Sequence, residues 1–166
     1  MDRTRSSFRR WGDCVAYDRY DWHSGGNFPA DLPAEAGGTH IAMFLCWMIL
    51  RGHAGTEHRE DSEEVMEPLV RRELTPGEWF FKWCDGKFWN ADLDEDGNSF
   101  ARAYYAEEGQ PFKHYIDDYA GIFPDHPNVY SVPDTWASFD RISPKIEARY
   151  LVWKDSQRSF FKRTFR

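Results

Sequence analysis

Residues 92–98 carry the side chains best suited to binding a cation. They read Asp-Leu-Asp-Glu-Asp-Gly-Asn and match the first seven positions of an EF-hand calcium loop, including the glycine at position six. The match fails at position twelve, where Ala103 replaces the glutamate that would close the coordination sphere. We therefore expect a solvated acidic turn in which Asp96 or Asn98 caps the helix that follows.

The histidines and cysteines form no recognised motif. The sequence contains neither an HExxH motif nor a CxxC pair, the spacings typical of many zinc sites. Cys46 lies in an apolar run, where burial raises a thiol pKa and opposes nucleophilic chemistry. A glycine-rich phosphate loop and a GxSxG elbow are also absent, and both are common signs of an enzyme. We expect no metal, no cofactor and no catalytic residue.

The composition describes an acidic globular protein. Of 166 residues, 28 are Asp or Glu and 21 are Lys or Arg, and 17% are aromatic. So many aromatic side chains exclude a disordered chain, and the net charge of -7 argues against a nucleic-acid binder. The longest apolar run, 41–50, is too short to cross a membrane. Three widely spaced cysteines and the lack of an apolar export signal near Met1 favour the cytoplasm.

The charge pattern predicts one domain between two basic ends. Residues 1–16 form a basic N-terminal extension, residues 17–153 a single globular domain, and residues 154–166 a basic, aromatic C-terminal tail. Asp, Gly and Pro are frequent in the first part of the domain, up to residue 38, which predicts a long ordered loop.

Helical periodicity predicts a mainly α fold of about six short helices. The apolar run 41–50 is expected to be the central helix, with Thr39 as its cap. Thr75 and Glu78 form a capping box that starts another helix. An amphipathic helix is expected over 57–73, which Pro68 must kink or divide, and Ser143-Pro144 opens the last helix. A small β element is expected near 128–132.

Two segments together form a distinctive pattern. Residues 21–29 read Asp-Trp-His-Ser-Gly-Gly-Asn-Phe-Pro, and residues 39–47 read Thr-His-Ile-Ala-Met-Phe-Leu-Cys-Trp. With further matches up to about residue 153, this pattern resembles a family of small, uncharacterised bacterial domains. Members of that family are often encoded beside toxin genes of type VI or contact-dependent secretion systems. The resemblance implies an immunity role for this chain, and it supplies no catalytic residue.

These observations predict a cytoplasmic immunity protein, not an enzyme, that binds a cognate toxin through an acidic, aromatic-rich surface. The candidate contact residues are Asp92, Asp94, Glu95 and Asp96, with Asp117 and Asp118 as a second cluster. The alternative is a small metal-dependent or hydrolytic enzyme whose site is assembled by the fold from dispersed residues. For that alternative, His23, His40 and His114 must converge with carboxylates.

Overall fold

The structure is a computed structural model that describes residues 14–106 and 115–164. The apolar run forms the central helix, α1 (Thr39–Met48), and all ten of its residues are buried. A π-helical turn, Ile49–His53, continues it and contains Gly52 at φ 100°, a conformation that glycine adopts without strain. The residue that caps α1 is Gly38, without a side-chain hydrogen bond. The prediction of Thr39 as the cap was therefore wrong.

Three short helices and one longer helix follow. They are α2 (Thr56–Glu60), α3 (Ser62–Val65), α4 (Glu67–Val70) and α5 (Pro76–Cys84). Pro68 lies in the first turn of α4, so the predicted boundary is confirmed. The capping box is also confirmed. Thr75 Oγ1 accepts a hydrogen bond from the Glu78 amide at 3.2 Å, and the Glu78 carboxylate accepts one from the Thr75 amide at 2.8 Å.

The described residues contain one small antiparallel sheet, of strands β1 (Ala16–Arg19) and β2 (Lys87–Trp89). Two 3-10 segments, Tyr20–His23 and Ala34–Gly38, lie within the predicted N-terminal loop. The predicted β element near 128–132 is a 3-10 turn, Val129–Ser131. The Asn128 side chain accepts hydrogen bonds from the amides of Tyr130 and Ser131, and this local bonding turns the backbone away from an extended path.

The remaining helices are α6 (Glu95–Ala101), which continues as a π-helical turn Arg102–Ala106, then α7 (Tyr115–Ile122) and α8 (Trp136–Thr164). The predicted start of a helix at Ser143-Pro144 was wrong, because Pro144 lies inside α8. Buried side chains at 139, 142, 146 and 150 form one continuous apolar face with helical spacing. Residues 154–164 of the predicted tail extend this helix, whereas residues 1–13 and 165–166 lie outside the described residues.

The core surrounds α1, which packs against α5 and α8. Its largest fully buried side chains are aromatic and include Trp79, Phe44, Phe80, Phe88 and Phe100. The mainly α fold and the single compact domain are confirmed, although the described residues hold eight α-helices rather than six. In the part of the chain that the structure describes, none of the helices has the length and apolar character required to cross a membrane.

Candidate functional site

Three segments of the N-terminal region bring Asp18, His23 and His40 together. Asp18 lies in β1, His23 ends the 3-10 turn that follows it, and His40 is the second residue of α1. Gly37 holds these segments close, because a Cβ atom at this position would come within 2.8 Å of the Tyr20 carbonyl oxygen. The backbone before α1 can therefore lie directly against the turn that carries His23. We call these three residues the Asp18 centre.

The Asp18 carboxylate is the hub of this centre. Its Oδ1 lies 2.8 Å from His23 Nε2 and accepts a hydrogen bond of 2.8 Å from the Arg19 amide. Its Oδ2 accepts a hydrogen bond of 2.7 Å from the Tyr105 hydroxyl. Burial opposes the ionisation of Asp18, but the hydrogen bonds from His23 and Tyr105 and the proximity of His40 outweigh it and lower its pKa below the usual range. The carboxylate is therefore an anion.

His40 is the least satisfied member of the centre. Its side chain is 3% exposed, and its Nε2 lies 3.6 Å from Asp18 Oδ2, beyond normal hydrogen-bond distance. Its Nδ1 has no hydrogen-bond partner among the described residues. Burial lowers the pKa of His40, although the Asp18 carboxylate opposes this shift. A neutral imidazole is thus buried without a short hydrogen bond to either nitrogen.

His23 connects the centre to the surface. Its side chain is 24% exposed, and its Nδ1 lies 3.1 Å from the Tyr130 hydroxyl. Tyr130 also lines a groove of about 580 Å³ between the 32–39 segment, the start of α5 and residues 130–134. Thr39, next to His40, lines the same groove. The Asp18 centre therefore lies beside a cleft large enough for a small ligand.

His58, Cys84 and Asp92 form a second cluster, and all three are buried. Asp92 Oδ1 lies 2.9 Å from His58 Nε2, while Oδ2 accepts a hydrogen bond of 2.7 Å from the Trp89 amide. Burial raises the pKa of the Cys84 thiol well above its usual value, and the nearby Asp92 carboxylate adds to the shift. The thiol is therefore protonated in the absence of a metal ion, and metal binding at this cluster would have to displace that proton.

The first predicted contact cluster is half turned toward the protein and half exposed. Asp92 is only 9% exposed, so it is not available to a partner. Asp94 is the N-cap of α6, where its carboxylate accepts a hydrogen bond of 2.7 Å from the Gly97 amide and lies 3.2 Å from His53 Nδ1. The cap predicted at Asp96 or Asn98 is thus Asp94. Glu95 and Asp96 are exposed, and Asp96 lies 3.5 Å from the Lys154 ammonium.

The second predicted cluster divides in the same way. Asp117 is exposed, whereas the Asp118 side chain is 10% exposed and accepts hydrogen bonds from Arg149 at 2.7 and 3.0 Å. The Tyr104 hydroxyl donates a further hydrogen bond of 2.9 Å to Asp118, and Lys145 lies 3.4 Å away. Asp118 therefore joins α7 to α8. Its charge is largely compensated within the chain.

A run of exposed negative charge lies elsewhere, on α2, α3 and the residue that joins them. Four carboxylates there have no hydrogen bond or ion pair within the described residues, and all four residues are exposed: Glu60, Asp61, Glu63 and Glu64. We call these four residues the acidic surface. Because no ion pair holds them, their charges contribute to the local negative potential.

A family model for a domain of unknown function, DUF7832, matches residues 16–132. The chain belongs to the DUF7832 family. The prediction of an uncharacterised domain family is confirmed, and the encoding of members beside toxin genes remains a prediction. Comparisons with curated proteins and with solved structures found no match. The DUF7832 domain contains the Asp18 centre, Tyr130 and the acidic surface, whereas α8 lies beyond its last matched residue.

Sequence reasoning identified two of the three residues of the Asp18 centre. His23 and His40 were candidates for a dispersed site, and the structure brings them together, while His114 lies outside the described residues. Asp18 was missed because it belongs to no motif. The available signal was its position five residues before His23, in the segment that forms β1 of the DUF7832 domain.

Proposed function

We propose that the protein is an immunity protein that binds and neutralises a cognate bacterial toxin through its acidic surface. The observation that supports the proposal is the set of four exposed carboxylates, Glu60, Asp61, Glu63 and Glu64, whose charges no cation of the described residues compensates. Such a surface attracts a basic partner and accelerates its association. A toxin that acts on nucleic acid, or another enzyme with a basic groove, has the complementary charge.

Exposed apolar side chains supply the other requirement of a tight complex. Electrostatic steering mainly changes the association rate, while a few well-packed aromatic or aliphatic side chains contribute most of the binding free energy. Val70 at the end of α4 is 56% exposed, and Trp22 beside the Asp18 centre is 58% exposed. Val70 is the closer of the two in sequence to the acidic surface, and it is our candidate for an apolar anchor beside the charges.

The first experiment co-expresses the protein with the product of the adjacent open reading frame. Rescue of growth and co-purification of the two chains are the expected results. Toxicity that the protein does not relieve, or the absence of a complex, contradicts the immunity proposal. Growth rescue is measured before any surface variant is made, so that the association rates of the variants are later measured with an identified toxin.

The second experiment locates the contact surface. A variant with the substitutions E60Q, D61N, E63Q and E64Q is expected to associate with the toxin more slowly and with a weaker dependence on salt. The matched control, E95Q with D96N and D117N, neutralises the predicted contact residues that remain exposed. Stopped-flow association rates at low and high salt compare the two. An unchanged rate for the first variant, or an equal reduction in both, contradicts the assignment to the acidic surface.

A small metal-dependent or hydrolytic enzyme is the second candidate. The observation that favours it is the convergence of His23, His40 and Asp18 beside the groove. The hydrogen-bond partners of this centre are tyrosine hydroxyls and a backbone amide, none of which is an activated nucleophile at neutral pH. Hydrolysis at this position would therefore use an activated water molecule, which a bound metal ion could supply.

A further inference from the structure

The Asp18 centre has the donor set of a metal site. Two imidazoles and one carboxylate are common ligands of divalent transition metals, and Zn²⁺ is bound in this way with its remaining positions open. One ligand atom from each of Asp18, His23 and His40 lies within 4.8 Å of the other two. Ligands about 2.1 Å from one ion lie roughly 3–4 Å from each other. Small side-chain adjustments are therefore sufficient to place all three around one ion.

The unsatisfied imidazole of His40 is the observation that favours a ligand. A buried polar group without a hydrogen bond costs about 1–3 kcal/mol, and such groups in native proteins mark missing water, an ion or a functional role. His40 has no partner for Nδ1 among the described residues, and its Nε2 is directed at a carboxylate 3.6 Å away. A cation between Nε2 and that carboxylate would give Nε2 a ligand contact in place of the long approach to Asp18, and the proton of the ring would then lie on Nδ1.

The surroundings of the other two ligands fit the same assignment. A metal-bound histidine normally donates its second N–H group to a neighbouring acceptor, which fixes the ring. The Tyr130 hydroxyl lies 3.1 Å from His23 Nδ1 and can accept that hydrogen bond. The Tyr105 hydroxyl and the Arg19 amide hold the Asp18 carboxylate in place. The ligands are thus oriented before any ion arrives.

We propose that Asp18, His23 and His40 bind one divalent transition-metal ion of the Zn²⁺ class, with Tyr130 orienting His23. The ion replaces the contact between His23 and Asp18, and it binds both imidazoles through Nε2. Three protein ligands leave a position open for water or another ligand. The partly exposed His23 is the side from which an ion can enter. This assignment does not depend on toxin binding.

The test uses the full-length chain with Cys14→Ser in every sample, because the Cys14 thiol is exposed and cysteine thiolates are good Zn²⁺ ligands. After removal of metals with a chelator, calorimetric titration with Zn²⁺ should show one ion per chain. His23→Gln should abolish this binding. The matched control is His126→Gln, since His126 is similarly exposed, at 22%, and also lies beside one aspartate, Asp125. The control should retain the site.

Two further measurements separate a metal site from a structural hydrogen-bond network. Zn²⁺ should raise the melting temperature of the parent protein and of His126→Gln, but not that of His23→Gln. Tyr130→Phe keeps all three ligands and should bind Zn²⁺ about 10–100-fold more weakly, because the second imidazole nitrogen loses its partner. This variant tests the proposal even if His23→Gln does not fold.

Two results overturn the assignment. The first is the absence of stoichiometric Zn²⁺ binding in the folded parent protein, which leaves the Asp18 centre as a structural network only. The second is binding that His23→Gln and Tyr130→Phe both leave unchanged in folded protein. That result would mean that the ion binds at another site, and the buried cluster of His58, Cys84 and Asp92 would then be the next candidate.

Discussion

Segment 92–96 and the acidic surface have a similar density of carboxylates in the sequence, but the fold uses them in opposite ways. In the first, Asp92 and Asp94 accept hydrogen bonds from backbone amides and lie close to buried histidines. In the second, the four carboxylates of Glu60, Asp61, Glu63 and Glu64 remain in water. The comparison shows that negative charge in a sequence does not identify a binding surface.

The difference arises from the donors that each segment meets. A carboxylate is buried only where several donors replace its water, since an unpaired buried charge is very costly. Asp92 has such donors because β2 and α2 bring the Trp89 amide and His58 to it. The acidic surface lies on short helices whose inward positions are taken by His58 and Val65. The carboxylates of the acidic surface therefore remain hydrated.

The largest expected effect is that of Asp92→Ala. This change leaves the Trp89 amide and His58 without their acceptor in a buried position, and we expect the free energy of unfolding to fall by about 3 kcal/mol or more. Urea denaturation measures it. The control is Asp96→Ala in the same segment, where a carboxylate that is 68% exposed should cost less than about 0.5 kcal/mol. An equal loss of stability in the two variants would contradict the distinction between the buried Asp92 carboxylate and the exposed Asp96 carboxylate.

Local signals explain the parts of the fold that the sequence predicted. The capping box at Thr75 and the boundary at Pro68 depend on residues a few positions apart, and a long apolar run favours a buried helix. Such features need no knowledge of the tertiary structure. They predicted the mainly α fold, the central helix and the start of α5.

Contacts between distant residues explain why the sheet and the roles of Asp92 and Asp18 were missed. β1 pairs with β2, about 70 residues further along the chain, and a four-residue strand has too short a pattern to indicate its partner. Asp92 was assigned to the surface because His58, its partner, lies 34 residues away. Asp18 was missed for the same reason, since its role appears only when His40 is placed beside it by the packing of α1.

Asp117 and Asp118 repeat the comparison within two adjacent residues. Burial opposes ionisation of Asp118, but the hydrogen bonds from Arg149 and Tyr104 and the charge of Lys145 outweigh it and lower its pKa. Because the folded pKa lies below the unfolded value of about 3.9, the unfolded chain binds more protons between the two values. The stabilisation by Asp118 is therefore complete above pH of about 4, and it is lost as the pH falls through the folded pKa.

Denaturation in urea at a series of acidic pH values tests this prediction. Asp118→Asn should lose part of the decrease in stability that the parent protein shows below pH of about 4. Asp117→Asn, an exposed neighbour in the same helix, is the matched control and should follow the parent profile closely. The same profile for Asp118→Asn and the parent would mean that the contacts with Arg149 do not couple Asp118 to folding.

The smallest expected effect on stability is that of neutralising the acidic surface with E60Q, D61N, E63Q and E64Q. These side chains accept no hydrogen bond from the described residues, so each substitution should change the free energy of unfolding by less than about 0.5 kcal/mol. Any change should be toward greater stability, because repulsion between four neighbouring negative charges is removed. Urea denaturation at low salt shows this most clearly, since added salt screens the repulsion. A marked loss of stability would place these carboxylates in structural roles like that of Asp92, and slower toxin association by this variant would then no longer report on a contact surface.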